Sequence, residues 1–520
     1  MNHFPHVSRH NVLTPSNEQE LRALIADAAR SNHTLRVIGS SHSVPESIAG
    51  KSDVLVSIEK LRGVLHYDPA NGVIEVQAGM TLGPCPLWPD RPDSETLGGF
   101  LEQQAQKNGS GWALPNLGGI THQTVGGFLQ MGCSGGSTRY SLGDAIDSIT
   151  FIDGHGDTHT ARPGDALFDA IAISMGLLGV VTRVAFRCVP WYDIIGHETT
   201  TRTQDCEIDL FGDGPGCLQE FLSNTPYARL LWWPQPGVNK VTVWQARHMQ
   251  PADYLAQNSV PTKLNSQPYE AIGLAGQLVA DAFYSFLGLG YGHDAIDRAI
   301  KKLTPVIAGP VINVFTPVNA STPTLFWDTW RSGLPMDDKS SDTLMPTDFT
   351  ELWIPIERTG EVMRAMRDHY RDNGLAAAGT YACEIYAAKR SPFMLSPSYG
   401  TDVVRIDIFW FDRNRENAAT DFYPQFWSLL ARFGFRPHWA KSLPAPDSET
   451  GVAYIRDQYP RWQDFMDIRA QLDPGQVFVT EYWREHLAIE REAVRSDSMV
   501  VPRGDAAAAM SDDVARGQSG

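Results

Sequence analysis

Seven glycines fall within the 21 residues Leu117–Ser137, LGGITHQTVGGFLQMGCSGGS. Glycine brings no side chain to a core and loses much backbone freedom on ordering, so such a stretch packs poorly by itself. The chain here must wrap something that fills the space. Backbone amides beside a pyrophosphate and a flat isoalloxazine ring meet that need. A second group of small residues, Gly39-Ser-Ser-His-Ser43, follows the strand-like run Leu35–Ile38 directly, and its hydroxyls add donors for an anion.

The surrounding pattern is mixed. Ser16-Asn-Glu-Gln19 reads as a capping box, and Leu21, Leu24, Ile25 and Ala28 recur at helical spacing until Asn32-His33. Val54–Ile58, Gly63–Tyr67 and Val73–Ala78 read as strands, the last two forming a hairpin about Asp68-Pro-Ala-Asn-Gly72. Ser148–His155 reads as strand and turn, and Gly176–Val184 as another buried strand entry. This predicts an α+β fold. It is not a dinucleotide fold of the GxGxxG kind, because that fingerprint is missing after the first strand. Gly212–Gly216 and Gly288–Gly292 are glycine-rich turns without its spacing.

The order of Val37-Ile-Gly-Ser-Ser-His-Ser43, Gly119-Ile-Thr-His-Gln-Thr-Val-Gly-Gly127 and Gly179-Val-Val-Thr-Arg183 resembles the FAD-binding (PCMH-type) domain of vanillyl-alcohol-oxidase-type flavoproteins. The resemblance implies a two-subdomain FAD domain over residues 1–190. It implies FAD held by Ile38, Gly39, Ser40, Ser41, His42 and Ser43, and by Gly119, Thr121, Thr124, Gly126, Gly127, Met131, Gly132, Ser134, Gly135 and Ser137. Gly179, Val180 and Val181 complete that set. His42 matches the histidine that many members join to the flavin 8α-methyl group, so covalent FAD is expected. Cys133 lacks positional support for a second bond and is expected to be a small buried thiol.

Later segments resemble the cap domain of the aldonolactone oxidase and alditol oxidase branch: Thr350-Glu-Leu-Trp-Ile-Pro355, Ser396–Asp402, Arg436-Pro-His-Trp-Ala-Lys441 and the closing Leu472–Phe478. They imply a substrate-binding cap with a large antiparallel sheet over residues 191–445, then a segment, 446–490, that returns to the FAD domain. By that resemblance Lys441 stabilises the negative charge that gathers on reduced flavin, and His438 orients substrate or shuttles a proton. The branch usually carries Glu-x-Arg on a cap strand. Here the strand reads Cys383-Glu-Ile-Tyr386, so Glu384 remains and Tyr386 takes the arginine's place on the same face. Arg405, on the next strand, is expected to reach Glu384 or else to pair with Asp407. The aromatic strands Leu230–Gln235 and Val241–Ala246 are given no site role.

The implied activity is oxidation of a CH–OH group in a sugar-derived alcohol, polyol or lactone, with O2 as acceptor and hydrogen peroxide as product. Tyr386 and the aromatic cap keep open a flavin oxidase or dehydrogenase of a bulkier, hydrophobic alcohol. The altered Glu-x-Arg also keeps open a non-catalytic flavin- or carbohydrate-binding protein. Other classes are set aside by composition. The 60 acidic against 43 basic residues give a net charge of -17, which repels nucleic acid. Six cysteines without a CxxC pair give neither a disulfide scaffold nor a zinc site, and His155 and His159, though four residues apart, sit at a turn where no helix puts both imidazoles on one face. The first residues lack the apolar core of a secretory signal, and a cytoplasmic location is expected. The apolar window Ala271–Tyr291 reads as a buried helix, with no membrane role, and residues 491–520 read as a disordered tail.

Overall fold

The structure, a computed structural model, describes residues 11–48, 52–262, 278, 281–283, 285–286, 294–319, 321–338, 346–411 and 417–491. Most of the window Ala271–Tyr291 and nearly all of 491–520 lie outside the described residues. No helix among the described residues is long and apolar enough to cross a membrane.

The first helix, Glu18–Ser31, is capped one residue later than the sequence suggests. Asn17, rather than Ser16, accepts the Glu20 N–H, while the Glu20 carboxylate accepts the Ser16 N–H. Asn17 and Glu20 hold the cap and third-residue positions, so the reciprocal bonding is preserved in a shifted frame. The expected stripe turns inward, with Leu21, Ile25 and Ala28 buried, and Asn32 ends the helix in the left-handed region at φ 52°.

Three sheets form among the described residues up to Pro190. β1 (Leu35–Ile38) and β2 (Val54–Ser57) pair in parallel. β3 (Val64–Asp68), β4 (Val73–Gln77), β6 (Ile146–Ile152), β7 (Thr158–Ala161) and β8 (Val180–Arg187) form a five-stranded antiparallel sheet, ordered β3-β4-β8-β6-β7. The β3–β4 hairpin turns where the Asp68 carboxylate accepts the Ala70 and Asn71 N–H groups and Gly72 takes φ 67°. β5 (Trp112–Ala113) and β9 (Val189–Pro190) make a short pair beside them.

The remaining strands are β10 (Asp193–Arg202), β11 (Tyr227–Trp233), β12 (Lys240–His248), β13 (Thr324–Thr329), β14 (Thr347–Pro355), β15 (Cys383–Ala388), β16 (Val403–Phe411) and β17 (Arg436–Pro437). They make one eight-stranded antiparallel sheet, ordered β13-β10-β12-β11-β15-β16-β14-β17. The aromatic runs predicted as neighbours are β11 and β12, each longer than its sequence signal.

Among the described residues three larger cores follow from this arrangement, beside a small cluster of Trp353, Ala388 and Val403. The first joins Leu21, Leu35 and Val184 to Phe465, Val477, Phe478 and Trp483, residues from opposite ends of the chain. Val477 C=O accepts the Leu35 N–H at 2.7 Å, and the Asp473 carboxylate accepts the Val477 and Phe478 N–H groups. The second core fills one face of the eight-stranded sheet with Leu230, Leu352, Ile385 and Ile406. Helices Thr359–Asn373 and Pro424–Leu430 cover it with Met363, Met366, Phe426 and Leu430. The third sets Trp233, Tyr381 and Phe411 against Ile300, Ala308 and Ile312 of the helix Asp294–Phe315.

Candidate active site

β1 runs straight into Gly39–Ser43, and the short helix Val125–Gln130 begins beside it with Thr124 as cap, whose hydroxyl accepts the Gly127 N–H at 3.2 Å. Between them lies a cavity of about 120 Å³ lined by Ile38–Ser43, Thr124, Gly126, Gly127, Met131 and Gly179–Val181. Glycine is required where backbones meet. A Cβ on Gly179, at φ 146°, would stand 2.4 Å from the Ile152 carbonyl oxygen. Four residues, His42, Gln123, Cys133 and Lys441, line both this cavity and a larger one of about 290 Å³. The two spaces thus adjoin, a smaller arm lined by glycine and serine backbone and a larger chamber, an arrangement suited to a dinucleotide whose flat ring lies at the junction.

Some expected cofactor contacts lie elsewhere. Gly119, Ser134 and Gly135 line the larger chamber rather than the arm. Thr121, Gly132 and Ser137 line neither, because each is occupied in holding the loop. Thr121 donates from its N–H and its hydroxyl to the Asp338 carboxylate. Gly132 turns the chain at φ 72°. Ser137 donates its hydroxyl to Pro226 C=O at 2.6 Å and its N–H to Ala387 C=O, fastening the glycine segment to the large sheet. Cys133 is half-buried at the junction rather than enclosed in a core. Gln123 donates to its sulfur at 3.4 Å, and burial pushes the thiol pKa up. The His42 ring stacks on His122, centroids 4.0 Å apart. Burial pushes the His122 imidazole down to about 4, so it stays neutral at ordinary pH.

The chamber's other wall is the free face of the eight-stranded sheet. Because strand side chains alternate, each strand sends every second residue there and the rest into the second core. Pairing then sorts the wall into cross-strand rows. In the first row Trp244, Arg229, Tyr386, Arg405 and Trp353 stand opposite one another in turn. The second row is Leu231, Glu384, Asp407 and Glu351, continued by His438, whose N–H bonds to Glu351 C=O at 2.9 Å. Next come Trp233, Ala382, Phe409 and Phe349. Phe409 and Phe349 are directly paired, while Trp233 and Ala382 sit one step past the paired Trp232 and Cys383.

Charge is concentrated in the first two rows. The buried Arg229 guanidinium is 3.0 Å from Glu384 and 2.9 Å from Asp337. Arg405 pairs with Glu351 at 2.5 Å, donates to Ser134 C=O at 2.8 Å and lies 3.8 Å above the Tyr386 ring. It also donates to the Tyr386 hydroxyl, which in turn donates to Asp407 at 3.0 Å. Arg405 therefore reaches neither Glu384 nor Asp407 as expected. Glu351 takes it, and the guanidinium beside Glu384 is Arg229, from a strand that motif matching passed over.

Three carboxyls on adjacent strands cannot all ionise easily without water. Burial drives Asp407 well above the usual carboxylate range, with its carboxylate neighbours adding to the effect. Burial also pushes Glu384 up to about 7, against the pull of Arg229. For Glu351 burial is outweighed by Arg405, His438 and Lys441, which hold it below its ordinary value.

The His-Trp-Ala-Lys segment follows β17. Trp439 is fully buried and donates to Leu395 C=O at 2.7 Å, anchoring the segment in the first core. His438 Nδ1 accepts the Ala440 N–H at 3.1 Å, so in the neutral ring the proton sits on Nε2. Burial pushes that imidazole down to about 4. The Lys441 ammonium lies 3.7 Å above the Phe349 ring.

Glu384, Tyr386, Arg405, His438 and Lys441 thus share one chamber with His42 at its junction. Sequence reasoning missed Arg229, Glu351, Asp407 and Asp337, and it gave the aromatic strands no role although Trp233 and Trp244 line the chamber. The alternation Tyr227, Arg229, Leu231, Trp233 was the available signal, since all four fall on one face. His155 and His159 stay with their turn: His155 bonds to Gln471 C=O, and His159 lies 2.7 Å from Asp153.

The FAD binding domain family matches residues 10–85, and the family described as D-arabinono-1,4-lactone oxidase matches residues 184–486. An L-gulonolactone oxidase of Scyliorhinus torazame is 24% identical, covering 90% of this chain and 93% of its own. An L-gulono-1,4-lactone dehydrogenase of Mycobacterium tuberculosis is 24% identical, covering 92% and 95%. Among solved structures, a cholesterol oxidase from B. sterolicum superimposes with a TM-score of 0.68 over 91% of this chain and 93% of that one. At 14% identity this speaks to the fold alone.

Proposed function

The chain belongs to the D-arabinono-1,4-lactone oxidase family, and from that premise we propose that it is an FAD-dependent enzyme oxidising a CH–OH group of an aldonolactone. The observation that carries this reading is the meeting of a glycine-lined arm with a chamber whose sheet wall bears buried, ion-paired polar rows. The arm fits FAD. Gly39–Ser43, Thr124, Gly126, Gly127 and Gly179–Val181 would hold it, and the walls they make have too little side chain to close on themselves. Gly119, Ser134 and Gly135 would face its ring. Bound FAD supplies an acceptor for the hydride that leaves the carbinol carbon.

The chain's own residues do the rest. The Arg229–Glu384 pair and the Arg405–Tyr386 pair hold substrate oxygens in a fixed geometry. Glu384, poised near neutrality, takes the hydroxyl proton on its carboxylate. His438, neutral with Nε2–H, donates to a substrate oxygen, and Lys441 contributes positive charge at the chamber's junction. His42 is the residue we assign to a covalent bond with the flavin 8α-methyl group. O2 is the assigned acceptor, with hydrogen peroxide as product.

Anaerobic addition of L-gulono-1,4-lactone or D-arabinono-1,4-lactone should bleach the flavin absorbance. Glu384→Gln should slow that bleaching by about a hundredfold or more. No bleaching with any lactone or alditol would overturn the reading. In acid-denatured protein the yellow colour should stay with a tryptic peptide containing His42, whereas His42→Ala should release it. Peroxide formed in air, measured against dye reduction, tests the acceptor.

A further inference from the structure

The third row of the chamber wall has no counterpart in the task just described. Trp233, Ala382 and Phe409 present carbon surface, with Leu231 beside Trp233 and Tyr381 packed against the Phe409 edge at 6.2 Å. The Tyr381 hydroxyl is directed to Thr347 at 3.3 Å. Successive rows on one face of a sheet are about 7 Å apart. A sugar lactone gripped at the second row and extending this way would set its hydroxyls mainly against aromatic rings, where they lose water, and the Tyr381 and Thr347 hydroxyls already bond to each other.

The row is also graded along its length. At the Phe349 end it carries the Lys441 ammonium and meets the junction with the smaller cavity. The Trp233 end lies away from that junction, and there Leu231, Trp233, Tyr381 and Ala382 also pack against the helix Asp294–Phe315 in the third core. What carbon surface the helix Asp294–Phe315 does not cover at this end lines the chamber, and it is open to the substrate. We propose that the natural substrate is amphipathic: a hydroxylated lactone or polyol head for the Arg229–Glu384 and Arg405–Tyr386 pairs, bearing an apolar substituent that lies along Trp233, Ala382 and Phe409. This rests on the reading of the chamber as the substrate site, and it deepens that reading by naming the substrate's second half.

Binding tests it on the oxidised holoenzyme, read as a perturbation of the flavin spectrum. The probes are gulono-1,4-lactone and its 6-O-hexyl ether. Each buried methylene is worth about fourfold in affinity, so the ether should bind at least tenfold more tightly than the parent. Phe409→Ala, which removes the surface, and Ala382→Phe, which fills the space, should each bring the ratio of the two Kd values close to one. Equal Kd values in the unaltered enzyme overturn the proposal. So does a ratio that both variants leave intact, or a Phe409→Ala variant whose flavin spectrum shifts before any ligand is added, because the row then covers the ring. Failure of either lactone to bleach the flavin overturns the lactone chemistry instead, and the Kd ratio still decides the substituent.

Discussion

Glu384 carries a proton further into the neutral range than an exposed carboxyl would, and that has a defined effect on stability. Its pKa is raised by burial from an ordinary 4.5 to about 7. Between those values the unfolded chain has lost the proton while the folded chain keeps it, so stability falls as pH rises through that window. Subtracting the Glu384→Gln unfolding curve from the parent's, in urea from pH 4 to 8, should reveal that decline. The buried His438 works oppositely, since its depressed value makes stability rise with pH between about 4 and 6.5, and the subtraction cancels it. Arg405 gives a second prediction. Arg405→Met strands the buried Glu351 and should cost about 3–5 kcal/mol in urea unfolding, whereas adding Glu351→Gln to it should return most of that loss. The placement of Glu384 and Tyr386 on one wall was legible from their two-residue spacing. The partner of Arg405 was not, because a cross-strand neighbour depends on the order in which distant strands join.

Strands and loops carry the next level of consequence. The alternation of β11 gives Arg229, Leu231 and Trp233 to the chamber and Leu230 and Trp232 to the second core, so one strand serves both layers. Its existence was readable from the aromatic run. Its position between β12 and β15 was not, since pairing with β15 crosses a long intervening stretch that local patterning does not describe. The glycine segment showed the converse. Its composition announced a wrapped ligand, yet part of it is used to clip the loop to the sheet. Ala228 N–H bonds to Gly136 C=O at 3.0 Å, and a Cβ on Gly136 would stand 2.3 Å from the Ala228 carbonyl oxygen. Gly136→Ala should therefore force the loop off β11. The expected result is a loss of about 1–3 kcal/mol in stability, with flavin released on gel filtration.

At the scale of the molecule, the first core is closed by the chain's far end. Phe465, Val477, Phe478 and Trp483 are buried within it, and Val477 C=O accepts the Leu35 N–H of β1. Deleting residues beyond Ser448 should strip that cover. The truncated chain should collect in the insoluble fraction, and any soluble remainder should lack flavin when its absorbance spectrum is taken. The family's closing segment made this return legible in the sequence, while the alternation of the third row became meaningful only once the sheet was assembled. The same closure sets a timetable for the growing polypeptide. Leu35 leaves the ribosome early, but Val477 follows only after some 440 further residues, roughly 20 to 90 seconds at about 5–20 residues per second. Throughout that interval the cradle Gly39–Ser43 waits beside an unfinished, apolar gap. Capture of the flavin is thus a late event, and the nascent chain needs a guard against aggregation until the helix Glu481–Leu487 docks.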